Sequence, residues 1–232
     1  MAVRLLVVDN DVQLGSMLRD LFQESGFLVE LETDGERAIA RAKSEPYDLL
    51  ILEVMLPGSN GFEVLRQIRH RSQVPVLILS SKTDCRDRVL AFNLGADDFV
   101  PKPFYPEELL ARVLAILRRA APSSARTTET LNVGELTLWP GKRSAHFRGR
   151  QLELTAMEYD ILECLVRSSG RVVSRDDLSL YLYKRPASPF DRAVDTHVSR
   201  IRRKIGKERG LILSVRGTGY QLCCQPDLAD NR

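Results

Sequence analysis

A chain of 232 residues is longer than a typical domain of about 100–150 residues, so its length predicts two domains. Its hydrophobic content of 44% is ordinary for a soluble globular protein, and its acidic start and lack of a long apolar run exclude secreted and membrane-spanning classes. The net charge of +3 hides an asymmetry: residues 1–119 carry 15 Lys and Arg against 18 Asp and Glu, whereas the remainder carries 19 against 13. We therefore expect a cytoplasmic protein whose second part alone meets a polyanion.

Short apolar runs alternate with helical patterns through the first 119 residues. The runs are apolar on both faces, which is typical of buried parallel strands. Apolar residues recur at helical spacing from Leu14 to Phe22 and again from Leu110 to Leu117. Five strands that alternate with helices predict an α/β, doubly wound, flavodoxin-like parallel sheet. The predicted strands are Arg4–Val8, Phe27–Leu31, Asp48–Leu52, Val74–Leu79 and Phe99–Val100.

Polar residues follow four of these strands, where ligands of doubly wound sheets bind. A lone acid at such a position is often a helix cap, but acids, a hydroxyl and a lysine at four strand ends predict a phosphate pocket. Carboxylates would hold a divalent cation, and the hydroxyl and ammonium would bind phosphoryl oxygens. The residues are Asp9, Asn10 and Asp11 after the first strand, Glu53 after the third, Ser80 after the fourth and Lys102 after the fifth.

The segments VVDND, LLILEVMLPGSNGFEVLRQIR, PVLILSS and GADDFVPKPF resemble the receiver domain of two-component response regulators over nearly all of residues 3–119. The resemblance implies that Lys102 pairs with a phosphoryl group and that its bond to Pro103 is cis. It also implies that Ser80 is the switch hydroxyl and Phe99 the aromatic that rotates inward.

Two positions of the pocket depart from the receiver pattern. The family's phospho-acceptor is an aspartate where this chain has Glu53, and its principal metal-binding acid falls on Asn10. Asp9 and Glu53 would then hold Mg²⁺ weakly or not at all, and we expect that no cofactor is required. The carboxylate of Glu53 reaches one methylene further out, towards the place of a phosphoryl group, where it could contact Lys102 permanently.

Several interpretations of Glu53 stay open at this stage. In one interpretation, the protein does not depend on phosphate and its receiver is held in the active state. In a second, Glu53 is an engineered mimic of activation. In a third, the pocket still accepts phosphate, but poorly. Asn10 favours a natural drift away from phosphorylation, because an engineer has little reason to introduce it. A pocket that has decayed into a structural plug is a further alternative, against which Lys102 argues because a buried lysine without a partner is costly.

Residues 120–130 have the small, polar composition of a linker, and we expect a second domain over 131–224 and a tail over 225–232. Short strands are predicted around Pro140–Gly141, followed by three helices. Thr155 and Glu158 form a capping box before the first helix, and Ser174 caps the second.

The third helix, from about Arg192 to Ile205, is predicted to have two faces. Val194, Val198, Ile201 and Ile205 form a buried stripe. A second face, polar and cationic, is predicted to be exposed and holds Thr196, Ser199, Arg200 and Arg203. A β-hairpin follows with Arg216 at its glycine-rich tip, and a cationic helix beside a basic hairpin is typical of a DNA-reading head.

The segments ELTAMEYDILECLV, RVVSRDDL, DRAVDTHVSRIRRKI and VRGTGY resemble the winged helix-turn-helix of the OmpR/PhoB family over about residues 131–223, and the third-helix segment is most similar to its CpxR-like members. The resemblance implies a transcription factor, not an enzyme, that binds double-stranded DNA. The implied DNA-contacting residues are Arg192, Thr196, His197, Ser199, Arg200, Arg203, Arg216, Thr218 and Tyr220.

The same resemblance implies a receiver homodimer and a sensor histidine kinase as a candidate partner. Family members pair two receivers through the fourth helix, fifth strand and fifth helix, with Asp97, Asp98, Arg112 and Arg119 as intermolecular charge pairs. Leu90 takes the place of a basic residue, so one such pair is missing. Alternatives to a phosphate-independent dimer on tandem DNA sites are a phosphorylation-dependent switch and a degenerate receiver that serves as a protein-interaction module.

Overall fold

The computed structural model describes residues 2–82, 84–120, 130–183, 193–206 and 209–223. The chain divides into two compact units, residues 1–121 and 122–232. None of the helices in these ranges is long and apolar enough to cross a membrane. Arg192, most of the predicted linker and the predicted tail lie outside the described residues.

The first unit is the predicted doubly wound sheet. Its five parallel strands lie in the order β2-β1-β3-β6-β7, so the chain winds first to one side of β1 and then to the other. The central strands are buried on both faces, which explains their unbroken apolar sequences. The strands are β1 Arg4–Val8, β2 Leu28–Glu32, β3 Leu49–Leu52, β6 Val76–Ser80 and β7 Asp98–Pro101, with a small hairpin of β4 Met55–Leu56 and β5 Ser59–Asn60 after β3.

Five helices cover this sheet. Side-chain caps define several of their starts: Asp11 accepts hydrogen bonds from the first turn of α1, and Asn60 does so for α3. The last helix extends to Ala120, the first residue of the predicted linker. The helices are α1 Val12–Glu24, α2 Gly35–Ser44, α3 Gly61–Arg69, α4 Cys85–Leu94 and α5 Pro106–Ala120.

Gly61 allows the loop after β3 to fold back against the strand end. A Cβ atom at this position would lie 2.2 Å from the carbonyl oxygen of Glu53 and 2.7 Å from Cα of Val54, both of which are backbone atoms. The Gly61 amide instead donates to the Val54 carbonyl at 2.8 Å. Glycine at the start of α3 therefore fixes the backbone that carries Glu53.

In the part of the second unit that the structure describes, two antiparallel sheets accompany three α-helices. Gly134 and Gly149, both with positive φ, make tight turns between the short strands on either side of Pro140–Gly141. The four-stranded sheet consists of β8 Leu131–Val133, β9 Leu136–Trp139, β10 Ser144–Phe147 and β11 Arg150–Gln151, and the three-stranded sheet of β12 Val172–Ser174, β13 Ile212–Val215 and β14 Gly219–Leu222.

The three helices and the capping box of the second unit are confirmed. Helix α6 spans Ala156–Arg167, α7 spans Arg175–Tyr183 and α8 spans Ala193–Ile205. Thr155 and Glu158 cap α6 reciprocally. The predicted apolar stripe of α8, from Val194 to Ile205, is buried in the core of the unit.

Candidate functional site: a closed receiver pocket and a winged-helix surface

Four of the polar residues predicted to converge at the strand ends do so, whereas Asn10 is exposed and the Asp11 side chain caps α1. Asp9 follows β1, Glu53 follows β3, Ser80 ends β6 and Lys102 follows β7. The ammonium nitrogen of Lys102 lies 2.6 Å from Oδ2 of Asp9 and 2.7 Å from Oε2 of Glu53. The Ser80 hydroxyl donates to Oε1 of Glu53 at 2.7 Å. The ends of four strands that are separate in sequence thus place these side chains in one cluster, which hydrogen bonds and ion pairs connect.

Both oxygens of the Glu53 carboxylate have partners. Besides the Ser80 hydroxyl, Oε1 accepts the backbone amides of Val54 at 2.6 Å and Met55 at 3.0 Å. Burial alone would raise the pKa of the Glu53 carboxyl, but hydrogen bonds from Lys102, Ser80 and Met55 outweigh burial and hold that pKa below its usual range. The carboxylate is therefore an ionised, fully bonded group.

Lys102 is the matching cation. Burial lowers the pKa of the Lys102 ammonium, yet its contacts with Asp9 and Glu53 more than compensate, and the pKa lies above the ordinary value. Its bond to Pro103 is cis, as the receiver resemblance implies. The contact between Lys102 and Glu53, inferred from the longer side chain, is confirmed.

Bonded to Lys102 as they are, the carboxylates of this pocket do not fit a divalent cation. Among the described residues, no group of three or more His, Cys, Asp or Glu side chains could hold a metal ion. Asn10 is exposed and carries no charge. The carboxylates of Asp9 and Glu53 are already bridged by Lys102, whereas Mg²⁺ requires several free oxygens in octahedral geometry.

The expectation that Asp97 forms an intermolecular charge pair is wrong. Its side chain is fully buried, and Oδ2 accepts the Arg69 guanidinium at 3.0 Å and the Val76 amide at 2.9 Å. Arg69 is itself only 6% exposed. The carboxylate turns inward because a buried arginine at the end of α3 needs an anion, and charges inside a protein are paired.

Asp98 and Arg112 form an ion pair within one chain. The guanidinium lies 2.9 Å from Oδ2 of Asp98 and also contacts Glu108 one turn earlier on α5. Arg119 is half-buried near the end of the same helix. Leu90 and Leu114 are 41% and 43% exposed on α4 and α5. The surface of α4, β7 and α5 is therefore less charged than the family pattern implies.

The predicted exposed face of α8 is partly wrong. Ser199 and Arg203 are exposed, but Thr196, His197 and Arg200 are 6%, 1% and 8% exposed and belong to the interior. Positions three and four residues apart share a helix face, but α8 packs against α6 along one edge of that face. The free surface is thus narrower than the helical spacing predicts.

Glu158 explains why Arg200 turns inward. This carboxylate is fully buried, and it accepts Arg200 Nε at 2.6 Å and Lys204 Nζ at 2.6 Å. Burial raises the pKa of Glu158, but the two cations and their hydrogen bonds lower it to about 2. The local sequence predicts Glu158 only as a helix cap, and nothing in it links Glu158 to cations more than 40 residues away.

The hairpin of β13 and β14 forms the wing, with Arg216 and Thr218 exposed at its tip. The prediction of Tyr220 as a DNA contact is wrong, because its side chain is 3% exposed and its hydroxyl donates to Asp195 on α8. Tyr220 lies in β14 and not in the tip, and alternation along the strand turns it inward. Burial and the Asp195 carboxylate raise the pKa of Tyr220 to about 12.

A groove of about 480 Å³ lies between α8 and the wing. Arg202 forms part of its wall and holds the wing in place by donating to the Ile212 carbonyl and the Ser214 hydroxyl. The groove is therefore bounded by one exposed helix face and one strand. Its lining residues are Ser199, Arg202, Arg203, Ile212, Leu213 and Ser214.

Family models match both units. Residues 5–114 match the response regulator receiver domain, and residues 149–222 match the C-terminal domain of transcriptional regulatory proteins. The transcriptional regulatory protein CpxR of Klebsiella pneumoniae is 43% identical over 225 residues, which cover 94% of this chain and 97% of that protein. The alkaline phosphatase synthesis regulator PhoP of Bacillus subtilis is 40% identical over 230 residues, covering 94% and 96%.

Solved structures with both units agree with this architecture. The response regulator DrrB of Thermotoga maritima, described as an OmpR/PhoB homologue, is 30% identical with a TM-score of 0.51 and covers 96% of this chain and 100% of its own. A point mutant of RitR is 25% identical with a TM-score of 0.73 and covers 95% and 99%. These similarities extend over both units and not one alone.

Proposed function

The chain belongs to the OmpR/PhoB family of two-component response regulators and is a DNA-binding transcriptional regulator, and from this premise we propose that Glu53 keeps its receiver in the active conformation without phosphorylation. The receiver then forms a homodimer that places two winged helices on tandem DNA sites. The pocket contacts of Glu53 carry this proposal, and the test is whether assembly ignores phosphoryl mimics.

One observation supports the locked receiver above all others. The Glu53 carboxylate accepts the switch hydroxyl of Ser80 and the ammonium of Lys102 at the same time, each at 2.7 Å. These are the two groups that the family resemblance assigns to phosphoryl oxygens. A permanent anion that holds both groups supplies the contacts for which other receivers require phosphorylation.

The burial of Phe99, the aromatic residue that the family resemblance assigns to the switch, is a second support for this proposal. Phe99 on β7 is 5% exposed, so its ring is turned into the receiver. The Arg88 guanidinium of α4 lies over that ring, 5.7 Å from its centroid. The burial of Phe99 and the hydrogen bond of Ser80 to Glu53 both support this proposal. A sensor kinase that docks on this receiver would meet no aspartate at position 53.

Dimerisation is proposed through the surface of α4, β7 and α5. Arg112 already forms ion pairs with Asp98 and Glu108 of its own chain. Replacing these ion pairs with one to a carboxylate of the second copy would therefore add little electrostatic free energy to dimerisation. The exposed Leu90 and Leu114 provide apolar area that a second copy would bury. We therefore assign the association to apolar contact more than to charge pairs.

Replacing Glu53 with glutamine is expected to weaken dimerisation about tenfold, since a charged hydrogen bond to Lys102 is lost. Sedimentation equilibrium of the full chain measures this. The wild type should be a dimer whose dissociation constant ignores Mg²⁺ and beryllofluoride, a phosphoryl mimic. Glu63→Gln, the same change at an exposed ion pair of α3, serves as control and should leave association unchanged. A wild type that is a monomer and dimerises only with the mimic would overturn the proposal.

DNA binding is expected to depend on the exposed cations of α8 and the wing. We expect a measurable effect from each of the variants Arg203→Ala and Arg216→Ala. If the arginine contacts a base, its loss should weaken specific binding by about 1–3 kcal/mol. If it contacts a phosphate, its loss should lower the slope of log K against log salt concentration by about one unit. Fluorescence anisotropy across a salt series measures both quantities. Arg171→Ala, at an exposed arginine between α6 and β12, is the matched control. Unchanged affinity and slope in both variants would mean that DNA binds elsewhere.

A further inference from the structure

Lys102 occupies the centre of the receiver pocket as a bridge between two strands. Its single ammonium contacts Oδ2 of Asp9 at 2.6 Å and Oε2 of Glu53 at 2.7 Å. The side chains of Asp9 and Glu53 are each only 3% exposed, and that of Lys102 is 17% exposed. Two buried carboxylates therefore share one cation that the chain itself supplies.

The remaining oxygens of the two carboxylates are also used. Oδ1 of Asp9 accepts the Asp11 amide at 2.9 Å, and Oε1 of Glu53 accepts the Ser80 hydroxyl and two backbone amides. A hard cation needs several such oxygens at once in a fixed geometry. In this pocket it would have to compete with Lys102 for Oδ2 of Asp9 and Oε2 of Glu53, and moving Lys102 away from two carboxylates is electrostatically unfavourable.

We propose that Lys102 is the resident cation of this receiver, and that its ammonium, more than the loss of charge at Asn10, closes the pocket to divalent metals. This inference rests on the proposed function, in which Glu53 holds Lys102 in place. Asn10 is exposed beside the pocket, so an acid there would add charge while both inner carboxylates stay bound to Lys102. Without Lys102, two buried carboxylates would face each other with no cation, which is the composition of a metal site.

Manganese binding to the full chain distinguishes exclusion of metals by Lys102 from a missing charge at Asn10. The electron paramagnetic resonance signal of free Mn²⁺ falls as ions bind, so it measures the number of bound ions. The Lys102→Gln chain should bind one Mn²⁺ ion with a dissociation constant of about 1 mM. The wild type and the Asn10→Asp chain should bind Mn²⁺ at least tenfold more weakly. Lys102→Arg keeps a cation in the pocket and should behave as the wild type. Lys43→Gln, at an exposed lysine of α2, is the matched control.

Folding is checked in the same samples. Lys102→Gln should unfold at a lower temperature than the wild type and regain part of the difference with Mn²⁺, because a ligand of the folded state stabilises it. The second change Glu53→Gln should abolish both the rescue and the binding. A wild type or Asn10→Asp chain that binds Mn²⁺ as tightly as Lys102→Gln would overturn the inference, as would a folded Lys102→Gln chain that binds none. A wild type that binds no Mn²⁺ yet is a monomer would instead reject the proposed function alone.

Discussion

Replacing Glu158 with glutamine is expected to lower the free energy of unfolding of the winged-helix unit by about 3–5 kcal/mol at neutral pH. The change removes a buried negative charge that contacts both Arg200 and Lys204, and breaking a buried ion pair by neutralising one partner is strongly destabilising. Glutamine keeps the shape of the side chain and its position in the cap of α6. The expected loss therefore comes from electrostatics and not from packing.

Urea unfolding followed by tryptophan fluorescence measures this loss. The chain has one tryptophan, Trp139 in β9, so the signal reports the winged-helix unit within the full chain. Glu153→Gln is the matched control, because it makes the same chemical change at an exposed position and should cost less than about 0.5 kcal/mol. Equal effects of the two variants would contradict the role assigned to Glu158.

The same carboxylate predicts how the unit responds to acid. The folded pKa of Glu158 is about 2, below the ordinary 4.5, so its contribution to stability is fully present above about pH 4.5 and is lost as the pH falls towards 2. The shift corresponds to about 3 kcal/mol. Other carboxyl groups titrate equally in both proteins. The difference in stability between wild type and Glu158→Gln should therefore shrink over this pH window, and a constant difference would contradict the prediction.

Replacing Asp97 with asparagine is expected to destabilise the receiver by about 3–5 kcal/mol, and to do so in the monomer. The change leaves the guanidinium of Arg69 buried without its anion, between α3 and the start of β7. An intermolecular role for Asp97 would instead affect association and leave the unfolding of the monomer unchanged. The variant thus separates an interior role from an interface role.

Far-UV circular dichroism during urea unfolding at low protein concentration measures the effect, with Trp139 fluorescence as internal reference for the other unit. Asp20→Asn is the control, since Asp20 forms an exposed ion pair with Arg19 at 3.9 Å and such pairs contribute about 0–1 kcal/mol. If Asp97→Asn weakened dimerisation with unchanged stability of the monomer, the interior assignment would be wrong.

Much of this protein follows from local sequence patterns. Continuous apolar runs predict the parallel strands, because a strand buried on both faces has no polar side. The residues after those strands predict the pocket of Asp9, Glu53, Ser80 and Lys102, because parallel strands end at the same edge of a sheet. The capping box of Thr155 and Glu158 is equally local, since it spans three positions.

The tertiary structure alone decided where several charged side chains point. Helical spacing places Arg200 on a face with Ser199 and Arg203, but only the packing of α6 against α8 turns it towards Glu158, 42 positions earlier. Asp97 likewise turns inward because α3 brings Arg69 beneath it, 28 positions away. Periodicity determines which residues share a face. Which part of that face is buried depends on the neighbouring element, and no local pattern records that neighbour.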